Sequence, residues 1–330
     1  MAQVNEIPAD ALQTSTRKAD HLRINLDEDV AAKGVHSGYE DFHFVHCALP
    51  EIDLAEVTTA ASVLGWRLNA PLFISCMTGG TEEARCINEA LAETAQELGL
   101  ALGLGSARVL LERPAALPSF AVRRLAPSVP LLVNLGAVQL NRGVGTDGCR
   151  RLVGMLEADA LVLHLNALQE ALQPEGDTCF AGLLGRIEAV VTNLDVPVIV
   201  KEVGWGISAD LVRSLFAAGV AAVDVAGAGG TSWSEVERHR LDGSAARVAA
   251  EFAGWGIPSA VALCQARAAA PTEVILASGG VRSGLDLAVA SALGADLVGA
   301  AGPFLRAAAA GAQACIELAS EWIEVLRIAM

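Results

Sequence analysis

From about residue 71 onward the sequence keeps one rhythm: a short apolar run, a glycine-rich or polar stretch, a segment of helical period, then another apolar run. Eight such runs are read at residues 72–75, 101–104, 131–133, 160–163, 198–200, 221–225, 274–277 and 296–299. Runs this short, apolar on both faces and separated by amphipathic helices, are the mark of buried parallel strands. The helical segments fall at residues 82–98, 147–157, 183–193, 209–218, 245–252 and 284–293. The run starts lie about 22 to 38 residues apart, with one gap of about 53, and a βαβ unit needs about 30. Eight strands alternating with helices close into a barrel, so the expected fold is α/β, a (β/α)8 TIM barrel. An open doubly wound sheet would want G-x-G-x-x-G after the first strand, and Met77, Thr78, Gly79 and Gly80 stand there instead. The long gap predicts an inserted loop near residues 233–241, a candidate lid. One domain is expected overall. Residues 1–70 are expected to form an N-terminal arm and irregular segment, with short extended pieces at 42–45 and 56–59. Residues 71–330 form the barrel.

Composition narrows the partners. The net charge of −15 argues against a nucleic-acid backbone as a main ligand. No apolar run approaches the roughly 18 residues of a membrane span, and the polar N-terminus has no signal-peptide core. The 7 cysteines form no C-x-x-C pair, which predicts reduced thiols and a cytoplasmic protein.

In a barrel, the C-terminal ends of all strands face one pocket, so each end can be read for chemistry. The fourth is the most informative: an apolar run opens into His164, Asn166, Gln169, Glu170, Gln173, Glu175 and Asp177, too many polar groups for an ordinary capped turn. After the seventh and eighth runs, Gly280, Val281 and Arg282, then Ala301 and Gly302, offer the backbone amides that barrels use for a phosphate, with Thr231 beside them. A flavin mononucleotide held there would stretch its ring across the mouth. Lys201 would meet the edge that becomes anionic on reduction, and Thr78 and Asn134 would bond from the other side. Lys201 could instead form a Schiff base. Arg17 and His21 share one helix face, with Lys18 next to them. They read as a solvated helix start unless the segment folds over a site that needs positive charge.

Together these motifs resemble the FMN-dependent type 2 isopentenyl-diphosphate delta-isomerases, from Arg17 to about Leu305. The residues that carry the resemblance are Arg17, Lys18 and His21; Met77 to Gly80; Gly105, Ser106 and Arg108; Asn134 to Gly136; the stretch 164–177; Lys201 to Ser208; Gly227 to Trp233; and Ser278 to Asp286. The resemblance implies a barrel that interconverts isopentenyl and dimethylallyl diphosphate. It implies FMN active in its reduced form, Mg2+, NADPH or NADH as reductant, a prenyl diphosphate substrate, and a homo-oligomer, a tetramer or larger. It implies that Gln169 contacts the substrate, with His164 and Asn166 beside it as catalytic residues, and that Glu170 holds the metal. Arg17, Lys18, His21, Ser106 and Arg108 would clamp the diphosphate, so that the segment 1–70 contributes to substrate binding. Met77, Thr78, Gly79, Ser106, Asn134, Lys201, Thr231, Gly280, Val281, Arg282, Ala301 and Gly302 would hold FMN. The chemistry asks for a proton placed on and removed from an alkene, with no net redox change.

Two positions depart from the family pattern. Ala107 stands where the family has Gln, which would loosen one substrate contact. Cys76 replaces a smaller residue and reads as an apolar filler. Three other readings stay open: an FMN-dependent 2-hydroxy-acid oxidase or dehydrogenase, a non-catalytic flavin-binding barrel, and a lysine aldolase. The first wants a histidine base near the loops after the sixth strand, where none precedes His239. His36, His43 and His46 read as surface residues, and Glu235 and Glu237 as solvated lid charges. Trp205 and Trp233 are placed on pocket loops without an assigned contact.

Overall fold

The structure, a computed structural model, describes residues 9–330, with side chains from Arg17 onward. The first eight residues of the expected arm lie outside the described residues. The strands are β1 (Ala61–Val63), β2 (Trp66–Leu68), β3 (Leu72–Ile74), β4 (Ala101–Ser106), β5 (Leu131–Gly136), β6 (Ala160–His164), β7 (Val198–Lys201), β8 (Ala222–Asp224), β9 (Val274–Ala277) and β10 (Leu297–Ala300). The helices up to the fifth barrel strand are α1 (Ala9–Asp27), α2 (Glu82–Leu98), α3 (Arg108–Glu112), α4 (Gly145–Leu156), α5 (Ala167–Leu172) and α6 (Leu183–Asn193). The rest are α7 (Ala209–Ala217), α8 (Trp233–Arg238), α9 (Gly243–Glu251), α10 (Ser259–Ala269), α11 (Gly284–Ala292), α12 (Gly302–Ala310) and α13 (Ala312–Ala329).

Strands β3 to β10 form a closed barrel in chain order, β10 pairing back to β3, and the pairs are parallel. All eight expected strands are present, with ends that differ from the expected ones by a few residues at most. Successive side chains alternate between two apolar layers, which is why the strands read as unbroken apolar runs. Phe73, Ala101, Leu132, Val162, Ile199, Leu276 and Leu297 fill the interior. Leu72, Ile74, Leu102, Leu131, Val133 and Leu161 face outward under the helices.

The irregular segment differs from expectation. Neither 42–45 nor 56–59 is a strand, and residues Leu54–Glu56 form a 3-10 turn. Residues 42–56 are exposed along their whole length, so no neighbouring strand completes a ladder for them. The real hairpin lies a few residues on. Leu64 (φ 52°) and Gly65 (φ 81°) both take left-handed backbone between the antiparallel β1 and β2, a two-residue turn of the kind whose twist suits a hairpin. Val63 and Leu68 of this hairpin join the interior cluster with Phe73 and Leu276, alongside the barrel floor.

The expected lid is not a free loop. Residues 233–241 begin with α8, and α9 and α10 fill most of the chain from there to β9. Helix α1 crosses the opposite end of the barrel, where the strands' C-terminal ends lie, touching α3, α8 and α12. Ile24 and Val30 pack with Val236 and Trp233, while Leu22 joins the main core.

Candidate active site

Beneath α1 and within the ring of strand ends lies a cavity of about 490 Å³. That volume is ordinary for a small-molecule site. Every residue assigned to substrate, cofactor or metal from the sequence lines it: Arg17, Lys18, His21, Met77, Thr78, Gly79, Ser106, Arg108, Asn134, His164, Asn166, Gln169, Glu170, Lys201, Thr231, Gly280, Val281, Arg282, Ala301 and Gly302. Gln169 and Glu170 therefore share a rim with Lys201 and Arg282.

One wall is backbone. Gly279 (φ 93°) and Gly280 (φ 72°) turn the chain after β9, and a Cβ on Gly279 would lie 2.1 Å from the carbonyl oxygen of Gly227. A Cβ on Gly229 would lie 2.1 Å from the amide nitrogen of Ser37. These loops approach so closely that only glycine fits. Helix α12 starts beside them at Gly302 with no side-chain cap, which leaves the Gly302 N–H for a ligand, Pro303 having none to offer. Arg282 is braced by donating from Nη2 to Gly229 O at 2.9 Å. Arg306, one turn into α12, also lines this wall; no glycine pattern pointed to it.

The facing wall is side chain. Helix α5 is a short helix after β6, and its spacing sets Asn166, Gln169, Glu170 and Gln173 together. Asn166 Nδ2 donates to Glu170 Oε1 at 2.8 Å and to Gln169 Oε1 at 3.1 Å. Gln173 Nε2 and the Asp177 N–H both donate to Glu170 Oε2. Two amide oxygens in this group, Asn166 Oδ1 and Gln173 Oε1, are buried without a partner. Orphaned buried acceptors next to a carboxylate are costly unless something electropositive meets them. Among the described residues no group of three or more His, Cys, Asp or Glu side chains could hold a metal by itself.

At the bottom, Lys201 is buried and donates from Nζ to Glu202 O. Ser278 Oγ donates to both carboxylate oxygens of Asp224, at 2.8 and 2.9 Å. His164 Nδ1 lies 2.6 Å from Asn134 Oδ1; because that oxygen can only accept, Nδ1 carries the hydrogen. Burial, aided by the charges of Lys201, Arg17 and Lys18, drops the imidazole to about 3. His164 is thus neutral at ordinary pH and cannot act there as a cationic acid. Burial pushes the Cys76 thiol up, so it stays protonated, in keeping with its reading as filler.

The arm contributes cations. Lys18 Nζ donates to Ser106 O at 2.7 Å and sits 5.2 Å from the centre of the Phe120 ring. Burial, then repulsion from Arg17, lowers this ammonium to about 7. His21 Nε2 donates to Glu237 Oε1 at 2.9 Å. The expectation of solvated lid charges is corrected here: Glu235 is 3 % and Glu237 0 % exposed. Glu237 also accepts from Gln169 Nε2 at 3.2 Å and from Arg240 Nη1 at 2.6 Å, and Arg240 reaches on to Glu175 at 2.6 Å. Three donors from three elements compensate its burial. The tryptophans also divide. Trp233 lines the cavity, whereas Trp205, on the loop whose Val203 and Gly204 line it, is itself buried and not part of the lining. Ala107 is fully buried, and its N–H bonds Asn134 O at 2.7 Å; it contributes nothing to the lining. His36, His43 and His46 are not part of the cavity.

Relatives were found by sequence and by fold. A sequence profile of FMN-dependent dehydrogenases matches residues 176–329. Isopentenyl-diphosphate delta-isomerases of a Nostoc and a Synechocystis strain are each 53% identical over 301 residues, covering 91% of this chain and 86% of theirs. The protein of that name from a Rickettsia rickettsii strain is 49% identical over 315 residues, covering 95% of this chain and 92% of its own length. Among solved structures, a mandelate oxidase mutant with (S)-mandelic acid superposes with a TM-score of 0.63 at 20% identity, over 98% of this chain and 92% of that one. At that identity the likeness is one of fold.

Proposed function

The chain belongs to the isopentenyl-diphosphate delta-isomerase family, and from that premise we propose that it interconverts isopentenyl and dimethylallyl diphosphate, using reduced FMN and Mg2+. The observation that carries the reading is the pairing of two unlike walls around one cavity: glycine backbone suited to a phosphate, facing Glu170 and the orphaned amide oxygens of Asn166 and Gln173.

The FMN phosphate would lie on the amides of Gly280 and Val281 and at the start of α12, with Arg282 and Thr231 beside it. Met77, Thr78, Gly79, Ser106 and Asn134 would line the rest of the flavin. Bound reduced FMN would supply a proton donor at N5 and an electron-rich ring beside the five-carbon chain. Lys201 would balance negative charge on that ring at the buried floor. Glu170, with Asn166 Oδ1 and Gln173 Oε1 nearby, offers the hard oxygens that Mg2+ prefers, and the substrate phosphates would complete the shell. Gln169, fixed from both sides by Asn166 and Glu237, would hold the prenyl end in place. His164, neutral, would act as a hydrogen-bonding wall. Arg17, Lys18, His21 and Arg108 would grip the diphosphate while α1 keeps water from the reacting alkene.

NADPH or NADH as reductant, a cytoplasmic setting and a homo-oligomer complete the proposal. All 7 cysteines are free, which suits a reducing compartment. Phe44, Val45 and Leu49 are exposed on the strand-free segment, as a surface covered by further copies would be. The hydroxy-acid oxidase reading is not carried forward: His239 sits at the end of α8 against Arg238 rather than on the cavity wall. The test is anaerobic incubation of the protein with FMN, NADPH, Mg2+ and isopentenyl diphosphate. Dimethylallyl diphosphate is expected. Flavin bleaching by 2-hydroxy acids with no isomer formed would overturn the reading.

A further inference from the structure

One residue outside the cavity touches three that line it. Asp177, at the end of the polar stretch after α5, is not on the wall, yet its carboxylate accepts from Arg108 Nη1 at 3.2 Å and from Gln139 Nε2 at 3.0 Å. Its other oxygen pairs with Arg142 Nη2 at 2.6 Å. Its backbone N–H donates to Glu170 Oε2 at 2.7 Å. The chain is folded tightly to allow this: a Cβ on Gly176 would fall 1.8 Å from the carbonyl oxygen of Glu170. Gly176 and Asp177 therefore act as one unit, the glycine permitting the approach and the aspartate using it.

We propose that Asp177 is a positioning residue which sets Arg108 and Gln139 through its carboxylate, and Glu170 through its amide, so that the diphosphate clamp and the metal carboxylate are held in one fixed relation. This rests on the diphosphate reading above. Arg108 shows how the device works. Its Nε is taken by Glu112 at 2.7 Å and one Nη1 hydrogen by Asp177, which holds the guanidinium plane and leaves Nη2 and the second Nη1 hydrogen for a ligand. Without the Asp177 charge, Arg108 and Arg142 lose the anion between them and repel each other. Arg108 then keeps only Glu112, whose side chain is about one-third exposed, so it is held loosely. The side chain of Asp177 is only 14 % exposed, so water screens its pairs less than it would at the surface.

The experiment uses the full-length protein with FMN, comparing wild type, Asp177→Asn, Arg108→Ala and the double variant. Asp177→Asn keeps the shape and the backbone N–H but removes the charge. It is expected to bind FMN within twofold of wild type, to raise the KM for isopentenyl diphosphate about tenfold, and to lower kcat much less. The double variant is expected to show little further rise in KM over Arg108→Ala alone, because both changes act on one interaction. An unchanged KM in Asp177→Asn, or fully additive losses in the double variant, overturns the proposal. Should the asparagine variant fail to fold, Asp177→Glu carries the same test: it keeps the charge but displaces it, its KM should fall between wild type and Arg108→Ala, and a wild-type KM overturns the assignment. Wild-type protein that turns over with Mg2+ while Asp177→Asn matches it refutes only this inference. Wild-type protein that forms no isomer refutes the functional reading instead.

Discussion

The two walls of the cavity, in a chain of net charge −15, are built by opposite means; in the proposed reading one would take a phosphate directly and the other would meet a diphosphate through a metal. The wall after β8, β9 and β10 is mainly backbone: Gly230, Gly279, Gly280 and the start of α12 at Gly302 line it, in positions the barrel itself fixes. The wall after β6 is side chain, Asn166, Gln169 and Glu170, held in a web that Asp177 and, from α8, Glu237 complete from behind. A backbone wall tolerates most side-chain changes around it and fails only when a Cβ is forced in. A side-chain web fails when one charge is removed, because each partner left behind is buried and unpaired.

Ways to break that contrast differ in size. Glu237→Ala should have the largest effect, a loss of about 3–5 kcal/mol of stability, since it strands His21 and leaves Arg240 with Glu175 alone around a site with no exposure; denaturant unfolding measures it, and a loss below about 1 kcal/mol would mean the web is looser than its geometry. Glu170→Gln should reduce Mg2+-supported turnover by roughly a hundredfold or more while FMN binds as before. Steady-state rates across a Mg2+ series, alongside flavin titration, check it, and normal turnover would take the metal away from Glu170. Gly279→Ala should do the reverse, weakening FMN binding by roughly tenfold or more through strain and collision with Gly227. If it cost substrate affinity with flavin retained, the division between the walls would be wrong.

The smallest effect is a proton. Lys18 is lowered to about 7 from 10.5, so folding opposes its charged form. That cost is full below about pH 7, where the group is charged in both states, and fades as pH rises toward 10.5, where it is neutral in both. The ligand-free protein should therefore gain stability from this group between those pH values. A diphosphate arriving beside Lys18 should restore its charge, so binding at pH 8 should take up as much as about one proton. Calorimetry in buffers of different ionisation enthalpy reads that uptake, and Lys18→Met should abolish it.

Much of this architecture is legible in the chain itself. Apolar runs alternating with helices point to the barrel, because burial on both faces leaves strands no polar positions. The strand-end residues follow, because a parallel barrel sends all those ends one way. The hairpin at Leu64 and Gly65 escapes that reading, although a two-residue turn with glycine between Val63 and Trp66 is a signal for it. Nothing local marks Asp177 or Glu237 as organisers. The acids of α8, Glu235 and Glu237, read as ordinary solvated helix charges.

By itself, then, the sequence determined the periodicity, the glycines where backbones must touch, and the cluster of amides and acids after β6. Each of these is a property of a few consecutive residues. Only the tertiary structure decided which charges would be buried together. His21 meets Glu237 across 216 residues of chain, and Arg108 meets Asp177 across 69. Those pairings follow from where α1 and the strand-end loops come to rest, and the energy that fixes them is the cost of leaving a charge dry and unpaired, which no local pattern records.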